Sequence, residues 1–380
     1  MQTKYDAIVV GAGAMGSAAA YHLAADGLRV LVLEQFALGH ALGSSHGESR
    51  IFRFAYTDSN YARLAMQCRP LWHALEKKVN VELLRLIGGL DLGHDDVGLT
   101  SVQEVSEALQ AIGAVFEELT PAQLAARFPQ WRVPEQTRVL YSPDTGFVWA
   151  DRAVNALRAQ AVILGATIQD NEPVQRIVPH DAGAEVITAK GIYRADKIII
   201  TAGAWANAML GYVGLQLPLR IEREQLHYFA PRLLDGAFKP ERFPIWIHYG
   251  REIGYGFPML GADGYPAGVK CGFHHDRHYI EPDNLARVPN REVEARMRRY
   301  LETYLPDAAG ELLTSMCCLY SNTPDEHFVV DVVPGYPHIA LASPCSGHGF
   351  KFSIGIGRAL ADLVQRGETD MHIGYVRLKS

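Results

Sequence analysis

The sequence predicts an α/β fold: a parallel sheet with helices on both faces, interrupted twice by a second domain on a mixed α+β sheet. Three observations predict it. A glycine-rich turn joins an apolar strand to a helix at the start of the chain. Apolar strands ending in glycine turns recur downstream, near residues 200 and 340. Between them lie a segment rich in Glu, Gln and Ala and a segment of alternating aromatic residues. At 380 residues the chain is long for one core, so two domains are expected.

The first unit runs Ile8-Val9-Val10-Gly11-Ala12-Gly13-Ala14-Met15-Gly16, an apolar strand followed by the G-x-G-x-x-G spacing. A helical stretch, Ser17 to Ala25, comes next, then an apolar strand, Val30 to Leu33, ending on Glu34. This is the order of a Rossmann-like dinucleotide site. Gly11 permits a tight turn, Gly13 lets backbone approach a pyrophosphate, and Gly16 lets helix and strand pack closely. The helix N-terminus attracts phosphate, and Glu34 is placed to accept from ribose hydroxyls. A glycine turn that packs and binds nothing is the plainer alternative.

Further along, Ala166 to Val178 and Glu185 to Tyr193 alternate around Asp181-Ala182-Gly183, which reads as a hairpin or meander. Lys197 to Ile200 reads as a buried strand ending at Gly203-Ala204-Trp205, and Ile339 to Ala342 as another. Ser346-Gly347-His348-Gly349-Phe350-Lys351 follows, and a helix from Ser353 to Gln365 closes the fold. The nucleotide domain is therefore expected at 1–85, 147–220 and 325–380. The substrate domain is expected at 86–146, with helices such as Val102 to Leu109, and 221–324, with strands such as Arg242 to Phe257.

Composition excludes several classes. Hydrophobic residues at 48% and charged residues at 21% describe an ordinary globular protein. A net charge of −6 without a basic block gives nucleic acid no footing. No apolar run approaches the ~18 residues of a membrane span. The start, Met1-Gln2-Thr3-Lys4-Tyr5-Asp6, is too polar for a secretory leader, and Arg377-Leu378-Lys379-Ser380 is not a peroxisomal tail. Five scattered cysteines suit a reducing compartment, so the cytoplasm is expected.

Three stretches carry candidate chemistry. In Gly43-Ser44-Ser45-His46-Gly47-Glu48-Ser49-Arg50-Ile51-Phe52-Arg53 two arginines lie three apart. On a helical turn they face one way, into one cavity or onto a solvated surface. Two guanidinium groups in a cavity suit an anionic ring and a carboxylate. Ser44 and His46 lie on no nucleophile elbow. In Val269-Lys270-Cys271-Gly272-Phe273-His274, Lys270 and His274 share a strand face. A Lys among apolar neighbours is either used or reaches solvent from an edge. The His274-His275-Asp276 run fits no metal-ligand spacing, so no metal is expected. Cys317 and Cys318, read alone, are core thiols, since a vicinal pair makes a strained disulfide and a poor metal site.

Taken together these motifs resemble the monomeric sarcosine oxidase and N-methyltryptophan oxidase family of flavoproteins, in order along nearly the whole chain. Gly11 to Gly16 is similar to its FAD site, Gly43 to Arg53 to its G-S-x-H-G-x-x-R-x-x-R segment, and Tyr255-Gly256-Phe257-Pro258 to its Y-G-F-P turn. Lys270 with His274, Cys318-Leu319-Tyr320-Ser321, Asp325-Glu326-His327-Phe328 and Ser346 to Lys351 resemble its remaining motifs.

The resemblance implies a Rossmann-like FAD-binding domain and an oxidase of a secondary, N-methyl or cyclic, α-amino acid. It implies a monomer that passes electrons to dioxygen and makes hydrogen peroxide. FAD would be held by a thioether from Cys318 to the flavin 8α carbon. Its expected contacts are Gly11, Ala12, Gly13, Met15, Gly16, Glu34, Gln35, Ser45, His46, Arg50, Val174, Gly203, Trp205, Cys318, Gly347, His348, Gly349, Phe350 and Lys351. Lys270, Arg50 and His46 would act at the flavin. Arg53 and Lys351 would clamp the substrate carboxylate, with Tyr255 and His274 on the amine side. The stretch between Phe257 and Lys270 is longer than the usual family loop, and Trp246, Ile247, His248 and Tyr249 fall where the family varies its pocket walls. The competing readings are an oxidase or dehydrogenase of a primary or glycated amino acid, a dehydrogenase or flavin hydroxylase using NAD(P)H, and a non-catalytic dinucleotide-binding or sensor protein.

Overall fold

The computed structural model describes residues 4–284, 287–343 and 345–378. The first residues of the polar start, 1–3, and the tail residues 379–380 lie outside them. The parallel sheet forms around the first strand, Lys4–Val10. Val30–Leu33 lies on one side of it and Gly191–Ile200 on the other, both parallel. Thr167–Gln169 extends the sheet beyond Val30–Leu33, and Tyr336–Ala342 extends it beside Gly191–Ile200. Alternate residues of these strands feed two cores. Ala7, Val9, Val32 and Ile199 face one way, and Ile8, Val10, Leu31 and Ile200 the other. Apolar residues on both faces are what a parallel sheet covered on both sides requires.

The first helix, Ala14–Ala25, begins a turn earlier than Ser17, directly on the glycine motif. It packs against Ala150–Ile163 and the last helix, Ser353–Arg366. The stretch 166–178 is two strands, not one arm of a hairpin. Thr167–Gln169 joins the parallel edge, and only Val174–His180 pairs antiparallel with Gly183–Thr188. Asn171, at φ 50°, and Pro173, which has no N–H to donate, break the run.

The second sheet has eight strands in the spatial order 312–322, 220–229, 269–274, 253–257, 245–249, 89–93, 138–142, 117–119. Its pairs are antiparallel except Ile245–Tyr249 with Gly89–Gly93. One face is apolar: Leu90, Leu92, Phe229, Trp246, Cys271 and Phe273 pack on Met297 and Leu301 of helix Arg291–Tyr304. The opposite face carries Asp91, Leu226, Tyr249, Tyr255, Lys270, His274, Cys318 and Tyr320, so this sheet presents a polar wall to the interior.

A small antiparallel sheet joins Ser49–Phe52, Gly146–Trp149 and Leu84–Leu86. It corrects the expectation that Arg50 and Arg53 share a helical turn. Arg50 is in a strand and Arg53 just beyond it, because Ser49–Phe52 finds its partner in the apolar run Gly146–Trp149. The expected boundaries 85/86 and 146/147 run through this sheet. Among the described residues, no helix is long and apolar enough to cross a membrane.

Candidate active site

The glycine turn explains its own composition. Gly11 has φ 99°, and a Cβ there would lie 2.5 Å from the Thr201 oxygen. A Cβ at Gly16 would lie 1.9 Å from the Gly11 oxygen, so Gly16 serves packing, as its spacing implied. The Ala12 N–H donates to Glu34 Oε2 at 2.8 Å and the Phe36 N–H to Oε1 at 3.0 Å. Burial alone raises the Glu34 carboxyl, but His40 and these two N–H groups outweigh it and hold it below the ordinary value. Glu34 is therefore a fixed carboxylate at the mouth of the turn.

A cavity of about 790 Å³ runs from this turn to the polar wall of the second sheet. Gly11, Gly13, Met15, Glu34, Gln35, Val174, Gly203 and Trp205 line its nucleotide end. Ala12 and Gly16 stand behind the lining and shape the turn. Ser45, His46, Arg50, Lys270, Cys318 and 347–351 line the other end, with Arg53, Tyr255 and His274. All the expected site residues except Ala12 and Gly16 thus border one space.

Around Lys270 the wall is densely charged. Its Nζ donates to the Ser49 carbonyl at 2.7 Å and to Ser49 Oγ at 3.2 Å, and lies 4.5 Å over the Phe257 ring. Burial first, then the Arg50 charge, push this ammonium down to about 7, against the pull of Glu48. Arg50 donates to the carbonyls of Ser44, His46 and Ser49 at 3.1, 2.5 and 3.0 Å. A Cβ at Gly47 would lie 2.8 Å from Arg50 Nη1, so the glycine leaves room for the guanidinium. Burial and Arg50 push His46 down to about 4, and the imidazole is neutral. In strand Leu312–Asn322 side chains alternate, so Cys318 faces the cavity and Cys317 does not. Burial pushes the Cys318 thiol up to about 11, while Arg50 and Lys270 draw it down.

The remaining wall holds Arg53 and Lys351. Lys351 Nζ donates to Tyr56 Oη at 2.7 Å and to the His348 carbonyl at 2.8 Å, and Arg53 lies 4.7 Å over the Tyr56 ring. Arg53 Nη1 donates to Asp91 Oδ1 at 3.0 Å and to Tyr249 Oη at 2.5 Å. Burial opposes the Arg53 charge, but the oxygens of Tyr249, Asp91 and Tyr56 hold it above the ordinary arginine value. Burial pushes Asp91 up to about 6 against Arg53. His274 Nδ1 lies 3.3 Å from Tyr320 Oη.

Asp91, Tyr249 as a bonding partner, Tyr56 and Tyr320 were missed as site residues. A lone acid in Gly89-Leu90-Asp91-Leu92-Gly93 was the available signal. Of the four expected wall positions, only Ile247 and Tyr249 line the cavity. Trp246 and His248 alternate to the other face, where Trp246 stacks on Tyr300 and His248 bonds His94 and Tyr300. The long loop after Phe257 folds back on the site, with Ala262 N–H on Glu48 Oε1 and Tyr265 Oη on Asp151 Oδ2.

Glu222, Glu224 and His275 form a group with metal-ligand proximity among the described residues. His275 Nδ1 lies 3.1 Å from Glu222 and Nε2 lies 3.4 Å from Glu326. Burial disfavours its charge, yet both carboxylates outweigh this and raise it to about 9.

The cavity fits FAD. It is elongated, with a fixed acid and a helix N-terminus at one end and cations at the other. His46 Nδ1, Ser343 Oγ and Ser346 Oγ, buried along it, have no partner within the protein. Such orphaned groups suit a polar ligand.

Comparison with known proteins agrees. A family model described as FAD dependent oxidoreductase matches residues 6–363. The monomeric sarcosine oxidase of Bacillus sp. (strain NS-129) is 35% identical over 384 residues, covering 100% of this chain and 97% of that protein. The N-methyl-L-tryptophan oxidase of Yersinia pestis (strain Pestoides F) is 31% identical and covers 95% of each. Among solved structures, NikD, an unusual amino acid oxidase essential for nikkomycin biosynthesis, superposes with a TM-score of 0.85 at 26% identity, covering 100% of this chain and 98% of its own. The family match spans residues 6–363 and the relatives cover nearly the whole chain, so the chain belongs to the FAD-dependent oxidoreductase family, as an enzyme acting on amine C–N bonds.

Proposed function

We propose that the protein is an oxidase of a secondary α-amino acid, N-methyl or cyclic, carrying FAD on a thioether at Cys318. The observation that supports this best is the polar wall itself. It sets Lys270 and Arg50, Cys318, and the Arg53–Tyr56–Lys351 cluster along one cavity. When bound, FAD supplies the acceptance of a hydride from the amino acid and the return of electrons to dioxygen. The protein supplies position and charge. Arg53 and Lys351 fix the carboxylate, so the amine and one C–H bond stand in a reactive pose. Cations nearby lower the proton affinity of a bound amine, which favours the neutral form the reaction needs. Arg50 stabilises negative charge developing at the cofactor, and the Lys270 ammonium stabilises reduced oxygen, which leaves as hydrogen peroxide. The imine product hydrolyses in water.

The chain is proposed to act as a cytoplasmic monomer, in keeping with its five unbridged cysteines. Its FAD-binding part is proposed at 1–85, 147–220 and 325–380, and its substrate part at 86–146 and 221–324. Acid precipitation of the purified protein tests the link: yellow colour is expected in the pellet, and free FAD in the supernatant contradicts attachment at Cys318. A peroxide assay is expected to respond to N-methyl or cyclic amino acids. Response only to primary or glycated amino acids, or consumption of NADPH, would replace this reading.

A further inference from the structure

Asp91 lies on the polar face of the second sheet, in the strand Gly89–Gly93, opposite Ile247 of the parallel neighbour. Only 2% of it is exposed, so burying its charge is costly without compensation. Compensation comes from one point: Oδ1 accepts from Arg53 Nη1 at 3.0 Å and from Tyr249 Oη at 3.1 Å. Tyr249 Oη also accepts from Arg53 Nη1, closing a triangle of three side chains. The Arg53 hydrogen bonds to Asp91 and Tyr249 both leave from Nη1, and the Tyr56 hydroxyl is a third partner of the guanidinium. The remaining donors of its planar fork are left for a second carboxylate. Arg53 borders the cavity and Asp91 does not, so Asp91 stands behind the guanidinium.

We propose that Asp91 is a positioning residue of the substrate clamp: it pins Arg53 by one nitrogen and offsets its charge, so the clamp orients a carboxylate more than it holds it tightly. The inference rests on the proposed function, because it needs a carboxylate at Arg53. Two consequences separate the pin from the charge. Asn at this position keeps an Oδ1 acceptor and removes the negative charge. Ala removes both.

The test uses the flavin-loaded protein, with acetate as a probe that cannot be oxidised, and stopped-flow reduction by the best amino acid substrate. In Asp91→Asn, acetate is expected to perturb the flavin absorbance at a Kd lowered by about threefold or more. In Asp91→Ala, the limiting rate of flavin reduction is expected to fall by about tenfold or more. Asp91→Asn should recover most of that rate, which a merely structural role would not predict. An unchanged acetate Kd in Asp91→Asn overturns the charge role. A wild-type reduction rate in Asp91→Ala overturns the pin. Should Asp91→Ala fail to fold, Asp91→Asn decides: tighter acetate binding upholds the proposal and unchanged binding overturns it. If the wild-type protein is reduced by no amino acid, the proposed function itself falls, a result distinct from these.

Discussion

Lys270 shows how one side chain can carry a rate. Its ammonium is buried, bonded to Ser49, and drawn down to about 7 by burial and Arg50. Replacing it with Met keeps the volume and removes the charge. Reoxidation of the reduced flavin by dioxygen should then slow by about a hundredfold, with far less effect on reduction. Equal slowing of both half-reactions in stopped flow would contradict this role. The charged form exists below the pKa, so the wild-type oxygen reaction should slow as pH rises through that region, and Lys270→Met should show no such limb. Lys270 and His274 were legible because a strand repeats every second residue. Arg50 and Arg53 were legible as a pair, although through a helical turn the chain does not form. Asp91, Tyr249 and Tyr56 were not, because partners 38, 196 and 295 positions away leave no local pattern.

Packed helices make sharper demands than isolated ones. A Cβ at Gly357, in the last helix, would lie 2.5 Å from the backbone and Cβ of Ala18 in the first. Gly357→Ala should therefore destabilise by about 1–3 kcal/mol, through forced separation of the two helices. Gly374 has nothing within 4 Å of its would-be Cβ, so Gly374→Ala should stay within about 0.5 kcal/mol of wild type. Urea unfolding of both variants checks the contrast, and equal midpoints would refute it. At this level the sequence was readable where period and glycine agree, as in Lys4–Val10 and Ser353–Arg366. It misled at 166–178, where alternation continued across a break that Asn171 and Pro173 impose.

The whole molecule is built on two large sheets joined by a cofactor-sized cavity, which meets the first at the ends of its strands and the second at its polar face. Fold class was legible from the glycine turn and the motif order. Strand order was not: Tyr336–Ala342 beside Gly191–Ile200 follows from packing, to which no local propensity points. Burial on this scale also sets an acid limit. His22, His46, His227 and His248 are each lowered from 6.5 to about 4 by burial. Between those values the unfolded chain binds protons that the folded chain refuses, so stability falls as pH falls. Asp91, raised to about 6, Glu48 and Glu224, also raised, and His275, raised to about 9, oppose this, while His274 and His348, held well below the usual value, add to it. The melting temperature should therefore drop steadily from pH 6.5 to 5; a flat or rising profile would contradict this account. The contact of Gly357 with Ala18 has a consequence for synthesis. The first helix ends at Ala25 and its neighbour begins at Ser353. At ~5–20 residues per second, the ribosome needs roughly 15 to 65 seconds to deliver the second after the first. Throughout that interval the first helix has a bare apolar flank, and its packing is completed only after more than 300 further residues have been made.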